Sequence, residues 1–264
     1  MERFTDLAIV LRSFRYAERD MVVHLLTENH GKITGLAKNA VHSRRFGGTL
    51  QTLAVSNISW AVKPHAEMAR IEEAVIRHEF KGLPQDYESM AAAAFVAEFC
   101  SKVLEPGVPQ RELFLCLTNA LHQLDGGVLP LAAVNAFLVK GLRHLGYAPN
   151  LTHCGDCHEA ADVIARAQPD DPFYWDDSGG ALLCARCLRT ALVRRTNQEL
   201  DPALIVLYCA LLARPFKDLG GISGPHVALF ELLKGFMHHH IPALHAGGGL
   251  KTLNLMDFAA HPSP

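Results

Sequence analysis

Cys154-Gly155-Asp156-Cys157 and Cys184-Ala185-Arg186-Cys187 are the two stretches that decide how the middle of this chain folds. In each stretch two residues separate the cysteines, so both sulfurs can point inward from one tight turn. Two such turns supply the four soft, tetrahedral ligands that zinc prefers. We therefore predict a zinc site formed by Cys154, Cys157, Cys184 and Cys187.

This ligand set indicates a structural metal. A catalytic zinc keeps three protein ligands and one open position, whereas four cysteines close the coordination shell. Disulfides and two chance dithiol pairs are the alternatives. The charged start of the chain, Met1-Glu-Arg-Phe-Thr-Asp6, is followed by no long apolar run and does not have the pattern of a secretory signal. We therefore expect a cytoplasmic protein, in which disulfides are rare.

Composition is that of an ordinary globular chain. The 264 residues are 49% hydrophobic and carry a formal net charge of -2, which suits two domains and a small module. No stretch approaches the ~20 apolar residues that a membrane span needs. Charge is distributed unevenly, because residues 1–63 contain more positive than negative side chains. The N-terminal part is therefore the basic part of the chain.

Short apolar runs rich in β-branched residues follow one another in residues 1–81. Leu7-Ala-Ile-Val-Leu11 and Met21-Val-Val-His-Leu-Leu26 are the first two, and Asn29-His30-Gly31 separates the second from residues 32–37 as a hairpin turn does. Residues 52–62 and 67–80 complete five strand candidates. The pattern predicts an OB-fold β-barrel over residues 1–81, with an SH3-like barrel as the alternative.

After residue 82 the apolar residues change to helical spacing. Segments 84–104, 110–124 and 131–145 each place an apolar stripe on one face and end near glycine. Asp201-Pro202 begins a further helix, and another runs from Gly224-Pro225 to His240. The fold class we predict is multidomain α+β, with an all-α helical domain over residues 82–264.

The residues between the cysteine pairs predict strands at 162–168 and 173–175 and a turn at 177–180. This is the outline of a four-cysteine zinc ribbon or finger, residues 150–190, inserted in the helical domain. Such a small unit buries little apolar surface, so metal binding would supply much of its folding free energy.

Several stretches together resemble a known family. They are Leu11-Arg-Ser-Phe-Arg-Tyr-Ala-Glu-Arg-Asp20, Leu26-Thr-Glu-Asn-His-Gly-Lys-Ile33, Ala37-Lys38, Gly48-Thr-Leu-Gln51, Arg143-His-Leu-Gly-Tyr-Ala-Pro-Asn-Leu-Thr-His-Cys154 and Gly179-Gly180. In order and spacing they resemble the bacterial recombination and repair family RecO. The resemblance implies an OB fold, a helical domain and a zinc module in a nucleoid-associated protein. It also implies a non-enzymatic mediator of the RecFOR pathway. Such a mediator binds single- and double-stranded DNA and anneals complementary strands. It works with RecR and with the C-terminal tail of single-stranded-DNA-binding protein to load RecA.

Arginine and lysine neutralise phosphates, so they are the DNA-binding candidates. One group is Lys32, Lys38, Arg44 and Arg45, and a second is Arg12, Arg15 and Arg19. We expect charge to dominate and binding to be independent of DNA sequence. The family usually carries more basic residues after Ala37-Lys38, whereas this loop has Val41 and His42. Phe14 and Phe46 each have two interpretations, as a base-stacking ring or as a core side chain.

Two other classes of function stay open from the residues alone. A metal-dependent nucleic-acid enzyme would use Asp170-Asp171 and Asp176-Asp177, although aspartate at turns is common for backbone reasons. A zinc-ribbon transcription regulator would read duplex DNA through arginines near the second cysteine pair, which are Arg186, Arg189, Arg194 and Arg195. The run His238-His239-His240 fits a helix end better than a metal site.

Overall fold

The structure is a computed structural model that describes residues 1–64, 66, 68–190, 197–245 and 248–256, without the side chains of Arg44 and Asn197. Contacts divide these residues into two units, 1–130 with 248–256, and 131–245. Among the described helices, none combines the length and the hydropathy needed to cross a membrane.

In the described part of the first unit, five strands close into a barrel with the order β1-β2-β3-β5-β4. Their bounds are β1 Glu2–Tyr16, β2 Asp20–Thr27, β3 Gly31–Ala37, β4 Val55–Val62 and β5 Ala69–His78. The long first strand serves two neighbours, because its first half pairs with β4 and its second half with β2. Neighbouring strands are antiparallel except β3 and β5, which pair in parallel through Gly35 with Ala69 and Leu36 with Arg70.

Alternate residues of the strands point inward and fill the barrel. Val23, Leu25, Ile58, Trp60 and Ile71 are at most 1% exposed. Phe46, from the turn after β3, is also part of this core. Of the two interpretations of Phe46, a base-stacking ring or a core side chain, the structure therefore supports the core side chain.

Two helices complete the first unit, α1 (Tyr87–Val103) and α2 (Arg111–Asp125). Helix α1 begins after Asp86, whose side chain accepts a hydrogen bond from the Ser89 N–H at 2.9 Å and so caps the helix. Its buried face includes Phe95 and Phe99. On its other face, the Glu98 carboxylate accepts bonds from the Lys251 N–H and from the Thr252 N–H and hydroxyl, which holds the C-terminal segment.

The second unit combines helices with a small sheet. The longer helices are α3 (Pro130–His144), α6 (Pro202–Ala213) and α7 (His226–His240), and the shorter ones are α4 (Ala161–Ala167) and α5 (Ala185–Thr190). The strands are β6 (Asn150–Cys154), β7 (Phe173–Asp176), β8 (Ala181–Cys184) and β9 (Asn197–Leu200), in the order β6-β8-β7-β9. Strands β6 and β8 run parallel, so the chain reaches Cys154 and Cys184 in the same direction.

The strand-rich N-terminal part and the helical region after it are confirmed, and all five predicted long helices are present within a few residues of their predicted ends. The strand predicted at 162–168 is wrong, because these residues form α4. Ala161 and Ile164, three residues apart, are buried while Val163 is 43% exposed, which is helical rather than alternating burial. The contacts place α1 and α2 in one unit with the barrel, and the domain boundary at 81/82 stays a prediction.

Candidate metal centre and nucleic-acid interface

The two cysteine pairs meet at one end of the small sheet. Cys154 and Cys184 are the last residues of β6 and β8, Cys157 lies in the turn after β6, and Cys187 lies in α5. The four sulfur atoms are all within 4.8 Å of one another. Residues that are 30 positions apart are brought together because their strands are paired.

Backbone hydrogen bonds shape both cysteine turns. In the first turn, the Cys154 N–H donates to the Glu159 carbonyl, and the Cys154 carbonyl accepts from the His158 N–H, each at 2.9 Å. The sulfurs also accept backbone bonds: the Cys184 N–H lies 3.5 Å from the Cys154 Sγ, and the Cys187 N–H lies 3.5 Å from the Cys184 Sγ. Bonds of this kind stabilise negative charge on sulfur, the form in which a cysteine binds metal.

The donor set fits a zinc ion. Cys154 and Cys184 are buried and the other two cysteines are half-buried, so the sulfurs would surround an ion and leave no face for substrate. Burial raises the pKa of Cys157, but hydrogen bonds, first from the Glu159 N–H and also from the Arg186 guanidinium, outweigh it and bring the pKa to about 7. A thiol with that pKa loses its proton readily to a metal. In the described part of the chain, no other group of three or more metal-binding side chains meets in this way.

The arginines beside the second cysteine pair are engaged in ion pairs. Arg186 Nη2 lies 3.1 Å from the Glu159 carboxylate, and Arg189 Nη2 lies 3.0 Å from the Asp171 carboxylate. Arg194 and Arg195 lie outside the described residues. The two described arginines therefore have acidic partners within their own module.

Three of the four aspartates proposed for an enzyme have hydrogen-bond partners within the same module. Asp176 is 4% exposed, and its carboxylate accepts bonds from the N–H and the hydroxyl of Ser178. Asp177 accepts a bond from Trp175 Nε1 at 2.8 Å. Asp171 is bonded to Arg189 of α5, whereas Asp176 and Asp177 accept bonds within the turn after β7. In the histidine run, His240 Nε2 lies 2.9 Å from the Asp177 carbonyl oxygen.

On the barrel, the turn between β1 and β2 meets the loop that follows β3. The Val41 N–H donates to the Arg19 carbonyl at 3.1 Å, and the Asn39 N–H donates to the Asp20 carboxylate at 2.8 Å. Between them lies an open cavity of about 400 Å³ lined by Arg19, Asn39, His42 and Ser43. Arg19 and Lys38 are exposed beside it, so one cation from each predicted group reaches the same region.

The other predicted cations occupy different settings. Lys32 is half-buried, and its Nζ donates to the Ser101 carbonyl at 2.8 Å. Burial lowers its pKa. Arg45 lies over the Phe46 ring, 4.7 Å from the centroid, and borders a second cavity, of about 430 Å³, that also contains Glu72 and Glu73. The Arg44 side chain lies outside the described residues.

Arg12 and Arg15 are exposed on β1. The Arg12 guanidinium lies 5.2 Å from the centroid of the Phe14 ring, whose other neighbour is the His24 ring at 5.9 Å. His24, whose ring contacts Phe14, was not among the residues predicted from the sequence. Its signal was the alternation of β2, which places His24 on the face opposite Val23 and Leu25.

Most of the chain is similar to one family of known proteins. Residues 1–80 match the family model described as recombination protein O N terminal, and residues 84–246 match recombination protein O C terminal. A DNA repair protein RecO of Anaeromyxobacter sp. strain K is 31% identical over 91% of this chain and 92% of its own length. The DNA repair protein RecO of Myxococcus xanthus is 31% identical over 71% of this chain and 73% of its own length.

Proposed function

Because the chain belongs to the RecO family of DNA repair proteins, we propose that it is a mediator of homologous recombination without enzymatic activity. In this role it binds single- and double-stranded DNA without regard to sequence and anneals complementary strands. It also helps to load RecA together with RecR and with the C-terminal tail of single-stranded-DNA-binding protein. The partners rest on the family resemblance alone.

One observation carries the DNA-binding part of the proposal: the β1–β2 turn and the loop after β3 converge and expose Arg19 and Lys38 beside an open cavity. We infer that the barrel is an OB fold, a five-stranded architecture whose loops and outer face commonly hold nucleic acid. Cations on such loops neutralise phosphates, which gives sequence-independent and salt-sensitive binding.

We also propose that the cysteine cluster holds a structural zinc ion. The closeness of the four sulfurs and the backbone bonds that they accept support this assignment. When bound, zinc would tie the end of β6 to the end of β8 and to α5. The protein's own residues then supply only position and charge, with no open ligand site for chemistry.

Strand annealing tests the proposed activity. Two complementary oligonucleotides carrying a fluorescent donor and acceptor are mixed with the protein, with and without ATP and Mg²⁺. We expect annealing to be faster with protein and to require neither ATP nor Mg²⁺. An absolute requirement for ATP or a divalent metal, or cleavage of the strands, would contradict the proposal and favour the enzyme alternative.

Charge substitutions test where the DNA binds. We expect Arg19→Gln and Lys38→Gln each to lower affinity for single-stranded DNA and to reduce the slope of log affinity against log salt by about 0.7 per lost phosphate contact. Arg111→Gln is the matched control, because Arg111 is an exposed arginine of the same unit whose Nη2 is paired with Glu28 at 2.9 Å. Equal salt slopes in all three variants would place the DNA elsewhere.

A transcription regulator that reads DNA through the zinc module is the less favoured alternative. The ion pairs of Arg186 with Glu159 and of Arg189 with Asp171 occupy the described arginines that such a protein would use. Selection from a random duplex library separates the two functions, since the mediator enriches no sequence.

A further inference from the structure

The outward face of β1, β2 and β3 carries an unusual set of side chains. Strand register places Arg12 opposite His24, and His24 opposite Thr34. The next row along the same face is Phe14, Val22 and Leu36, and Tyr16 follows one step further along β1. Successive residues of a strand alternate between faces, so this row is on the side away from the barrel core.

Aromatic rings on this face are open to solvent. Phe14 is 38% exposed and Tyr16 is 52% exposed. The Phe14 and His24 rings stack at an interplanar angle of 27°, and Arg12 lies against Phe14 within cation–π distance. An exposed ring with a cation beside it can stack on the flat face of a ligand. By contrast, Phe46 is 4% exposed and belongs to the core.

The charges around the rings select the kind of partner. Arg12, Arg19 and Lys38 are exposed on the strands and loops that carry the rings, and they outnumber the two acidic residues beside them, Glu18 and Asp20. The Asp20 carboxylate accepts a bond from the Asn39 N–H. A ligand that offers both flat rings and negative charge is complementary to this combination. Unpaired nucleobases on a phosphate backbone have that chemistry, whereas bases inside a duplex are already stacked and out of reach.

The protonation state of His24 is consistent with base stacking on this face. Burial, and then the positive charges of Arg12 and Lys32, lower the pKa of His24. The imidazole is therefore neutral near pH 7. A neutral ring next to Phe14 adds flat surface without adding a further charge.

We propose that Phe14 and Tyr16 form a stacking platform for unpaired nucleobases, with Arg12 and His24 holding the Phe14 ring in place. The platform rests on the proposed DNA-binding function and deepens it, because it gives the barrel a preference for single strands that charge alone does not provide. Exposed cations contact phosphates of any strand, while the platform contacts bases only where they are unpaired.

The test compares three ligands of equal length by fluorescence anisotropy: an oligo(dT) single strand, an abasic single strand with the same phosphates, and a duplex. The variants are Phe14→Leu and Tyr16→Leu, which keep apolar volume and remove the ring. Tyr87→Leu is the matched control, since Tyr87 is 66% exposed at the start of α1. We expect each platform variant to lose about 5- to 150-fold in affinity for oligo(dT). Its affinity for the abasic strand and the duplex, and its salt slope, stay unchanged.

The outcomes separate the platform from the proposed function. Unchanged oligo(dT) affinity in both platform variants, together with weaker binding by Lys38→Gln, would overturn the platform and leave DNA binding by charge intact. Failure of the wild-type protein to bind any of the three ligands would overturn the proposed function itself. Equal losses on the abasic strand would show that the rings act on something other than bases, and would overturn the platform too.

A second measurement guards against misfolded variants. Wild-type protein is crosslinked to an oligonucleotide that contains 5-iodouracil, which couples to an aromatic ring stacked on it, and the adduct is mapped by mass spectrometry. Adducts at Phe14 or Tyr16 support the platform. Adducts confined to other peptides overturn it, whatever the thermal stability of the leucine variants.

Discussion

Replacing Cys184 by serine is the sharpest test of the metal centre. Cys184 is 1% exposed at the end of β8, where its sulfur lies within 4.8 Å of the other three. A hydroxyl is a much poorer zinc ligand than a thiolate, so we expect Cys184→Ser to lose the metal. Cys209→Ser is the matched control, because Cys209 is a half-buried cysteine of the same unit outside the cluster.

The size of the effect follows from the loop that the metal closes. The first and last ligands, Cys154 and Cys187, enclose a loop of about 30 residues, and cross-linking a loop of that length is worth roughly 4 kcal/mol in the chain-entropy treatment. We therefore expect the free energy of local opening of β7 and β8 to fall by about 4 kcal/mol. Because each 1.4 kcal/mol is tenfold, their amides should exchange with solvent about a thousandfold faster.

The assay combines metal content with hydrogen exchange. Wild type and Cys209→Ser should carry one zinc per chain and protect β7 and β8, whereas Cys184→Ser, or wild type after a chelator, should not. The barrel strands serve as an internal reference. The reasoning is refuted if Cys184→Ser retains one zinc per chain, or if loss of zinc leaves the protection of β7 and β8 as it was.

Three further predictions concern the barrel unit. Lys32→Met should lower the free energy of unfolding by about 1 kcal/mol, measured with urea, because the Ser101 carbonyl loses its donor, whereas Lys38→Met should leave it unchanged. Asp6→Asn should cost about 2 kcal/mol at pH 7, since one oxygen that accepts from the Asn29 N–H and from His30 becomes a donor. Burial raises the pKa of Asp6 but its hydrogen bonds lower it more, so this stabilisation is lost as the pH falls below about 4, and the two melting curves should converge there. Burial and nearby positive charge lower the pKa of His24 in the folded state, so stability should fall as the pH drops below about 6.5, and His24→Gln should remove that part of the slope.

The sequence was most informative where spacing has one structural solution. Two Cys-x2-Cys pairs predicted a four-sulfur cluster, and long apolar stripes between glycines predicted α2 and α3 to within one residue and α1 to within three. Residues 162–168 were ambiguous, because a short segment with one large buried side chain fits a strand or a helix equally well. In α4 that side chain is Ile164, and the pairing of Arg166 with Asp162 one turn earlier favours the helix.

Predicted DNA-binding residues depended on contacts that a linear sequence does not contain. The partner of Lys32 is the backbone carbonyl of Ser101, and a carbonyl has no signature in sequence. Arg186 and Arg189 likewise have acidic partners 27 and 18 positions away. In the sequence, Phe14 and Phe46 are both aromatic residues beside arginines. Phe14 is exposed because it lies on the outer face of the barrel, and Phe46 is buried because it packs into the barrel core.

A short parallel ladder between β3 and β5 closes the barrel. Among the described residues this ladder comprises two residue pairs, whereas each of the other four ladders extends over seven or eight. Transient local opening of the barrel should therefore begin at the β3–β5 ladder, while the other four ladders stay paired. Gly35 permits the close approach, since a Cβ there would lie 2.4 Å from Ile71 Cδ1. The face proposed to bind unpaired bases includes Leu36, which belongs to this ladder. A DNA strand bound across β1 to β3 would therefore stabilise the barrel where it opens most readily.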